Sequence, residues 1–244
     1  METRLTNKFQ AVPMFAQYYG EYYIDIGDED WKLLELFFSK EHRVANSPDA
    51  DGYGTPVTTY DEWFQILYLN QNLICVDERF ANIKSAIQQA AHHYLEECVQ
   101  FDMPKEVYMD IADSWFIRLA GDKEKPKEFQ PHNHSFAMLS CVLYLHDSNN
   151  GLEFTNNDQL NMFEPFTWPV KETNEINGAS QYVRPKKGKL VIFPGRMHHR
   201  LVNSHMEEDV RWSIVANIWP QGLVSTNHAA GLVSGSQRHE RTKT

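Results

Sequence analysis

The chain reads as an α+β protein whose C-terminal half is a β-sandwich or barrel. Three observations point there. One strongly amphipathic helix pattern begins near Asp77. From Val107 to Pro220 come short runs rich in Val, Ile, Leu and aromatic residues. Gly, Pro, Asn and Asp separate those runs, as turns between strands require. The order, helices then strands, predicts one domain over residues 1–220, helical over 28–100 and β over 107–220, with a polar tail over 221–244.

Taken along the chain, "YYIDI" (Tyr22–Ile26) predicts a first strand, closed by the turn-prone "GDED". Asp30–Lys40 predicts a short amphipathic helix, and the polar stretch "EHRVANSPDADGYGTP" an exposed loop. Asp77 is a good N-cap for the main helix. Behind it Phe80, Ile83, Ile87, Ala90, Ala91, Tyr94 and Cys98 recur at three- and four-residue intervals and make one apolar stripe. His92 and His93 lie on that helix, where neighbours diverge by about 100°, so they cannot share a ligand and read as packing or surface histidines. The strand runs are "VYMDIADSWFIRLAG", "FAMLSCVLYLHD", "GLEFTN", "QYVRPKKGKLVIFPG", "HRLVN" and "VRWSIVANIWP". Asn156 to Arg184 has little periodicity and carries Phe163, Phe166 and Trp168, so it reads as a lid or a surface loop.

Composition bounds the partners. With 244 residues, 42% hydrophobic and 23% charged, the chain can bury a sizeable core. Its 23 basic and 33 acidic residues give a formal charge of −10, which argues against a nucleic-acid backbone binder. Cys75, Cys98 and Cys141 form no CxxC pair, as in chains of a reducing compartment. No run approaches the roughly 20 apolar residues that span a bilayer. A soluble, cytoplasmic protein with no membrane partner is expected, and the oligomeric state is open.

Chemistry concentrates in two histidine clusters. In "EFQPHNHSFAMLSCVLYL" (Glu128–Leu145), His132 and His134 sit two apart ahead of an apolar run. In an extended segment such residues share a face, so both rings would look into one space. A second cluster, His198 and His199, follows "KLVIFPGRM", and Arg211 and Ser213 share a face of the strand after it. A lone strand-edge histidine is ordinarily structural, and a lone arginine ordinarily snorkels to the surface. The ordered set is far more specific than its members. Trp115, Trp212 and Phe136 flank it and read as core packing.

The set resembles the Fe(II)- and 2-oxoglutarate-dependent oxygenases, and within them a bacterial and phage group with an H-x-H motif. The likeness rests on "SWFI" (Ser114–Ile117), on "HNHSFAMLSCVLYL" (His132–Leu145), and on Pro185, Gly188, Leu190, Phe193, Pro194, His199, Arg211, Ser213 and Asn217. It covers a little under half the chain. It implies a double-stranded β-helix (jelly-roll) core with the N-terminal helices packed on it. It implies Fe(II) and 2-oxoglutarate as cofactors, molecular oxygen as a partner, and a small-molecule or peptide substrate, hydroxylated as 2-oxoglutarate is decarboxylated to succinate. His132, His134 and His199 would be the catalytic metal ligands. Arg211, Ser213, Tyr144 and Asn217 would bind the cosubstrate, with Arg211 gripping its far carboxylate. Family spacing selects His199 over His198.

Departures bear on the site. Ile117 replaces the group's Asn after S-W-x, and Ser135 the proline that often follows H-x-H. The wider superfamily completes its metal set with a carboxylate, where this chain has His134. A three-histidine set, Glu153 reaching in from a neighbouring strand, and a water with His134 behind it are the open alternatives. Two rival readings remain. One is a cupin-type metalloprotein, which fits Gly188, Pro194, His199 and Asn203 but lacks the early glutamate. The other is a non-catalytic jelly-roll binding module.

Overall fold

Side-chain alternation decides the layers. Along the long strand β10 (Val210–Thr226), Trp212, Ile214, Ala216 and Ile218 are buried on one face, and Arg211, Ser213 and Val215 on the other. Both faces are therefore covered. The structure is a computed structural model that describes residues 17–38, 58–61, 66–69, 73–120, 129–155, 178, 180–202, 210–226 and 229–233.

The strands are β1 (Gly20–Tyr23), β2 (Thr58–Asp61), β3 (Ile66–Leu69), β4 (Val107–Ala120), β5 (Leu139–Tyr144), β6 (Leu152–Thr155), β7 (Ser180–Val183), β8 (Lys189–Pro194), β9 (His199–Leu201), β10, and β11 (Ala229–Val233). The major sheet runs β1-β8-β5-β10-β4-β3-β2, with β11 on the end of β10, and the minor sheet runs β7-β6-β9. All pairings are antiparallel. Together they form the expected jelly roll, and two cores separate along the major sheet. Leu139, Cys141, Leu143, Leu190, Ile192, Ile214 and Ala216 face the helices, whereas Val142, Tyr144, Val191, Phe193 and Val215 face the minor sheet with Leu152, Phe154 and Val183.

Helix α1 (Asp28–Phe38) and α2 (Leu73–Val76) precede a 3-10 turn (Glu78–Phe80), α3 (Ala81–His93) and a π turn (Tyr94–Cys98). Asp77 caps as expected, its side chain accepting from the Arg79 amide at 3.0 Å. Phe80, Ile83, Ile87, Ala90, Ala91 and Tyr94 are buried, each large side chain contributing about 1.5–3 kcal/mol over exposure. The π turn shifts the register, so Cys98 leaves the stripe and is exposed. His92 Nε2 accepts from the Met109 amide at 2.9 Å and His93 Nδ1 lies 3.3 Å from Tyr22 Oη, both packing roles.

Strand β4 carries an irregularity that matters below. Asn217 pairs with Asp113 but the next residue, Ile218, pairs with Ile111, which leaves Ala112 as an extra residue. A one-residue bulge exchanges faces. Met109 and Ile111 before it, and Phe116 after it, all pack toward the helices. The bulge thereby turns Asp113, Trp115 and Ile117 toward the minor sheet.

Three expectations need adjustment. The stretch read as helical over 28–100 contains the hairpin β2–β3, which extends the major sheet from the edge of β4. An unpaired strand edge is a template for such addition, and its Thr, Tyr, Ile and Leu suit a strand. Strand β10 runs to Thr226 and pairs with β11, so regular structure passes the boundary drawn at 220. Ser180–Val183, where the aperiodic stretch overlaps the strand run that starts at Gln181, is a strand of its own and pairs with β6. Residues 39–57, with the expected loop, and 156–177, with Phe163, Phe166 and Trp168, lie outside the described residues.

Candidate metal centre

Two backbone hydrogen bonds bring the histidine clusters together. The His132 amide donates to the His199 carbonyl and the His199 amide to the His132 carbonyl, each at 2.9 Å, as an isolated antiparallel bridge. Residues that exchange both bonds stand directly opposite, with side chains on one face. The two rings accordingly meet, with centroids 4.5 Å apart.

His134 arrives by a turn rather than by strand alternation. Its amide donates to the Gly195 carbonyl (2.6 Å), its carbonyl accepts from Ala137 (2.9 Å), and the Gly195 amide donates to Met138 (3.1 Å). These bonds clamp residues 134–138 onto the end of β8. The approach is close: a Cβ on Gly195 would lie 2.3 Å from the Ala137 carbonyl oxygen. The His134 ring comes 5.4 Å from His132 and 5.0 Å from His199. One ligating atom from each of the three lies within 4.8 Å of the others. Nitrogens about 2.1 Å from a common ion are at most about 4.2 Å apart, so a small inward rotation would bind one.

Protonation suits ligation. His199 Nδ1 lies 2.9 Å from the Met197 carbonyl. A carbonyl only accepts, so Nδ1 carries the proton and Nε2 keeps its lone pair. Burial pushes the His199 pKa down to about 3, with the neighbouring histidines adding to that push and the Met197 bond opposing it. Burial also lowers His134, against the Asn217 bond that raises it. Phe193 and Phe154 pack around His199, with ring centroids at 4.8 and 6.3 Å. His132 is on the exposed side.

The alternatives separate. His198 is turned to Asn133, Nε2 to Nδ2 at 3.2 Å, outside the triad. Glu153 does not reach in. On β6, Leu152 and Phe154 point into the core, and Glu153 faces the other way, bonded to Arg200 (2.5 Å) and Ser180 (2.6 Å). Trp115 flanks His134 with centroids at 5.8 Å, Trp212 is buried on the helix side, and Phe136, expected in the core, is 90% exposed on the clamped turn.

A second polar group lies farther along the same face of β10. Arg211 is 1% exposed, its Nη1 donating to the carbonyls of Asn150 and Gly151 at 3.2 Å. Its guanidinium lies 5.8 Å from the Tyr144 ring centroid. Ser213 and Tyr144 are cross-strand partners. Both are fully buried, and neither Ser213 Oγ nor Tyr144 Oη has a hydrogen-bond partner among the described residues. Burial holds the Tyr144 phenol protonated, Arg211 opposing weakly. Two orphaned hydroxyls beside a buried guanidinium are what a carboxylate would satisfy. The three imidazoles and this cradle fit Fe(II) and a diacid.

Asn217 is not part of that cradle. Its Oδ1 lies 2.7 Å from His134 Nδ1 and 2.7 Å from Ser140 Oγ, with Ser140 also 2.8 Å from that nitrogen. The resemblance implied a cosubstrate role for Asn217, but its position along β10 puts it beside His134, at the histidine end. Asp113 and Ser140 were not singled out in the sequence. Ser140 stands opposite Asn217 on β5 and Asp113 opposite it on β4, a register that becomes visible only once the strands are paired.

Residues 113–217 match the family model described as "Putative 2OG-Fe(II) oxygenase". Among solved structures, a Pseudomonas putida prolyl-4-hydroxylase is similar at 14% identity and TM-score 0.50, over 83% of this chain and 92% of that one. The epimerase SnoN of nogalamycin biosynthesis, crystallised with Fe3+, alpha ketoglutarate and a nogalamycin compound, is similar at 15% identity and TM-score 0.52, over 84% and 81%. The carbocyclase SnoK of the same biosynthesis gives 10% and 0.53, over 83% and 79%. These likenesses establish the shared fold. No curated protein matches the sequence. The matched segment, the fold and the histidine cluster together resemble the Fe(II)- and 2-oxoglutarate-dependent oxidoreductases. That match spans a little under half the chain, and over it the three histidines and the Arg211 cradle fit Fe(II) and 2-oxoglutarate.

Proposed function

We propose that the protein is a dioxygenase that hydroxylates a small molecule or a peptide side chain while 2-oxoglutarate and O2 become succinate and CO2. The observation that carries this reading is the convergence of His132, His134 and His199 on the face of the jelly roll that also buries Arg211. Bound there, Fe(II) with 2-oxoglutarate supplies the oxidising power for breaking a substrate C–H bond.

The chain's residues hold and orient. His132, His134 and His199 would hold the metal, and burial keeps the His134 and His199 rings free of an extra proton that ligation would have to displace. Arg211 offers a planar, permanently charged fork to the far carboxylate. Ser213 and Tyr144, whose hydroxyls have no partner among the described residues, would donate to the same group. Val215 and Val142, paired across β10 and β5 between the two ends, line the intervening wall with apolar surface and exclude water. Substrate and oxygen reach the metal from the exposed His132 side. The unit is a single domain whose last strand pair, β10 and β11, runs past residue 220, and its three free cysteines suit a cytoplasmic setting.

Anaerobic addition of 2-oxoglutarate to the Fe(II)-loaded protein is expected to give a weak visible charge-transfer band, and admission of O2 to give succinate. Metal uptake with neither signal would favour the cupin-type reading, and failure to take up metal the non-catalytic one.

A further inference from the structure

A chain of forced donors and acceptors runs behind the proposed metal ligands. Asp113 and Asn217 face each other across β4 and β10, and the Asp113 carboxylate accepts from the Asn217 side-chain amide and from its backbone. Burial pushes the Asp113 pKa up and these two bonds oppose that rise; ionised, the carboxylate only accepts. The amide must therefore turn its NH2 to Asp113 and its oxygen to the other side. That oxygen lies 2.7 Å from both Ser140 Oγ and His134 Nδ1. An amide oxygen also only accepts, so His134 Nδ1 must carry the proton. The remaining nitrogen, Nε2, keeps its lone pair.

We propose that Asp113 is a positioning residue for the metal centre, fixing through the Asn217 carboxamide the one tautomer of His134 that can ligate through Nε2. The proposal rests on the three-histidine reading above. The superfamily's carboxylate ligand is replaced by His134, an imidazole with two tautomers. Without a fixed acceptor behind it, the ring could as well carry its proton on Nε2 and turn a donor toward the metal. His199 solves the same problem with the Met197 carbonyl. His134 sits on a turn and takes its acceptor from a side chain, and an amide has two orientations. The carboxylate removes that ambiguity. The other Asp113 oxygen is buried with no partner among the described residues. Ala112, the bulged residue, sets the parity that turns Asp113 to this face.

The test reads the tautomer in the metal-free full-length chain and metal affinity separately. Two-dimensional 15N NMR of the imidazoles is expected to show His134 as Nδ1–H in the wild type. In Asp113→Asn it should become a mixture, and Co(II) titration followed by absorption should weaken about 10- to 100-fold, as for other residues behind metal ligands. Asn217→Asp alone sets two carboxylates against each other and should lose affinity similarly. The exchange Asp113→Asn with Asn217→Asp restores the order donor, acceptor, imidazole, and should return both the pure Nδ1–H signal and most of the affinity. A wild-type His134 protonated on Nε2, or Asp113→Asn with unchanged tautomer and affinity, overturns the proposal. So does an exchange variant that folds like the wild type yet recovers nothing. A wild type with the Nδ1–H tautomer that takes up no Co(II) would instead sink the metal reading and leave the tautomer chain standing.

Discussion

His199 is kept neutral by its surroundings, and this determines how the metal-free protein meets acid. Its pKa in the fold is about 3, against an unfolded histidine near 6.5. Between those values the unfolded chain binds a proton that the folded chain refuses, so the contribution to stability is full above about pH 6.5 and shrinks as pH falls toward 3. His134 is lowered too and acts with the same sign. Urea midpoints of metal-free protein should drop between pH 7.5 and pH 5, and His199→Asn should remove much of the drop; a flat profile would contradict the burial argument. Arg211 answers to a different measurement. Charge-assisted hydrogen bonds of about 1.5–3 kcal/mol predict that Arg211→Ala weakens 2-oxoglutarate binding roughly 10- to 150-fold while Fe(II) affinity stays put. Calorimetric titration with each ligand separates the two, and full 2-oxoglutarate affinity in the variant would take the cosubstrate role from this residue.

At the scale of elements, the site depends on a turn and a bulge more than on regular strands. Gly195 admits the turn at residues 134–138 to the end of β8, and the atoms a side chain would strike are backbone, the carbonyl oxygens of Ala137 and His134 at 2.3 and 2.8 Å. Gly195→Ala should therefore displace the turn, costing on the order of 1–3 kcal/mol of stability as overpacking does. Metal affinity should fall with it, because His134 moves while the His132–His199 bridge remains. Denaturant melts paired with Co(II) titration check this, and unchanged affinity would mean the turn has slack. These features also mark where the sequence was legible. Apolar runs bounded by turn residues exposed β5, β8 and β10, and strand parity the shared face of Arg211 and Ser213. The stripe at three- and four-residue spacing exposed α3. The segment around β2 and β3 mixes charged and apolar residues without a clean period, and pairing with β4 decides it. Ala112 looks like any strand alanine, so the bulge, and with it the facing of Asp113, had no signal in the residues. Asn217 came only from the family pattern, which gives its spacing from Arg211 and says nothing about what stands opposite it.

Over the whole molecule, the proposed ion would join parts far apart in the chain: the turn before β5 and strand β9 of the minor sheet. A ligand that binds only the folded state at 100 times its Kd adds about 2.7 kcal/mol, and at about 2–4 °C per kcal/mol for a chain of this size Fe(II) should raise the melting temperature by roughly 5–11 °C. The shift should vanish in His199→Ala and persist in His198→Ala under anaerobic calorimetry; the reverse pattern would exchange the two residues' roles. The charge of −10 does not enter this account, since the response belongs to one site. The bridge between residues 132 and 199 has a further consequence. Its two bonds belong to peptide groups, which are common to every residue type except proline at the donor. The aim of two of the three ligating side chains is thus inherited from the path of the main chain. Positions 132 and 199 behave as sockets: thiolates or carboxylates plugged in there would still converge, and the choice of ion could be retuned without rerouting a single strand.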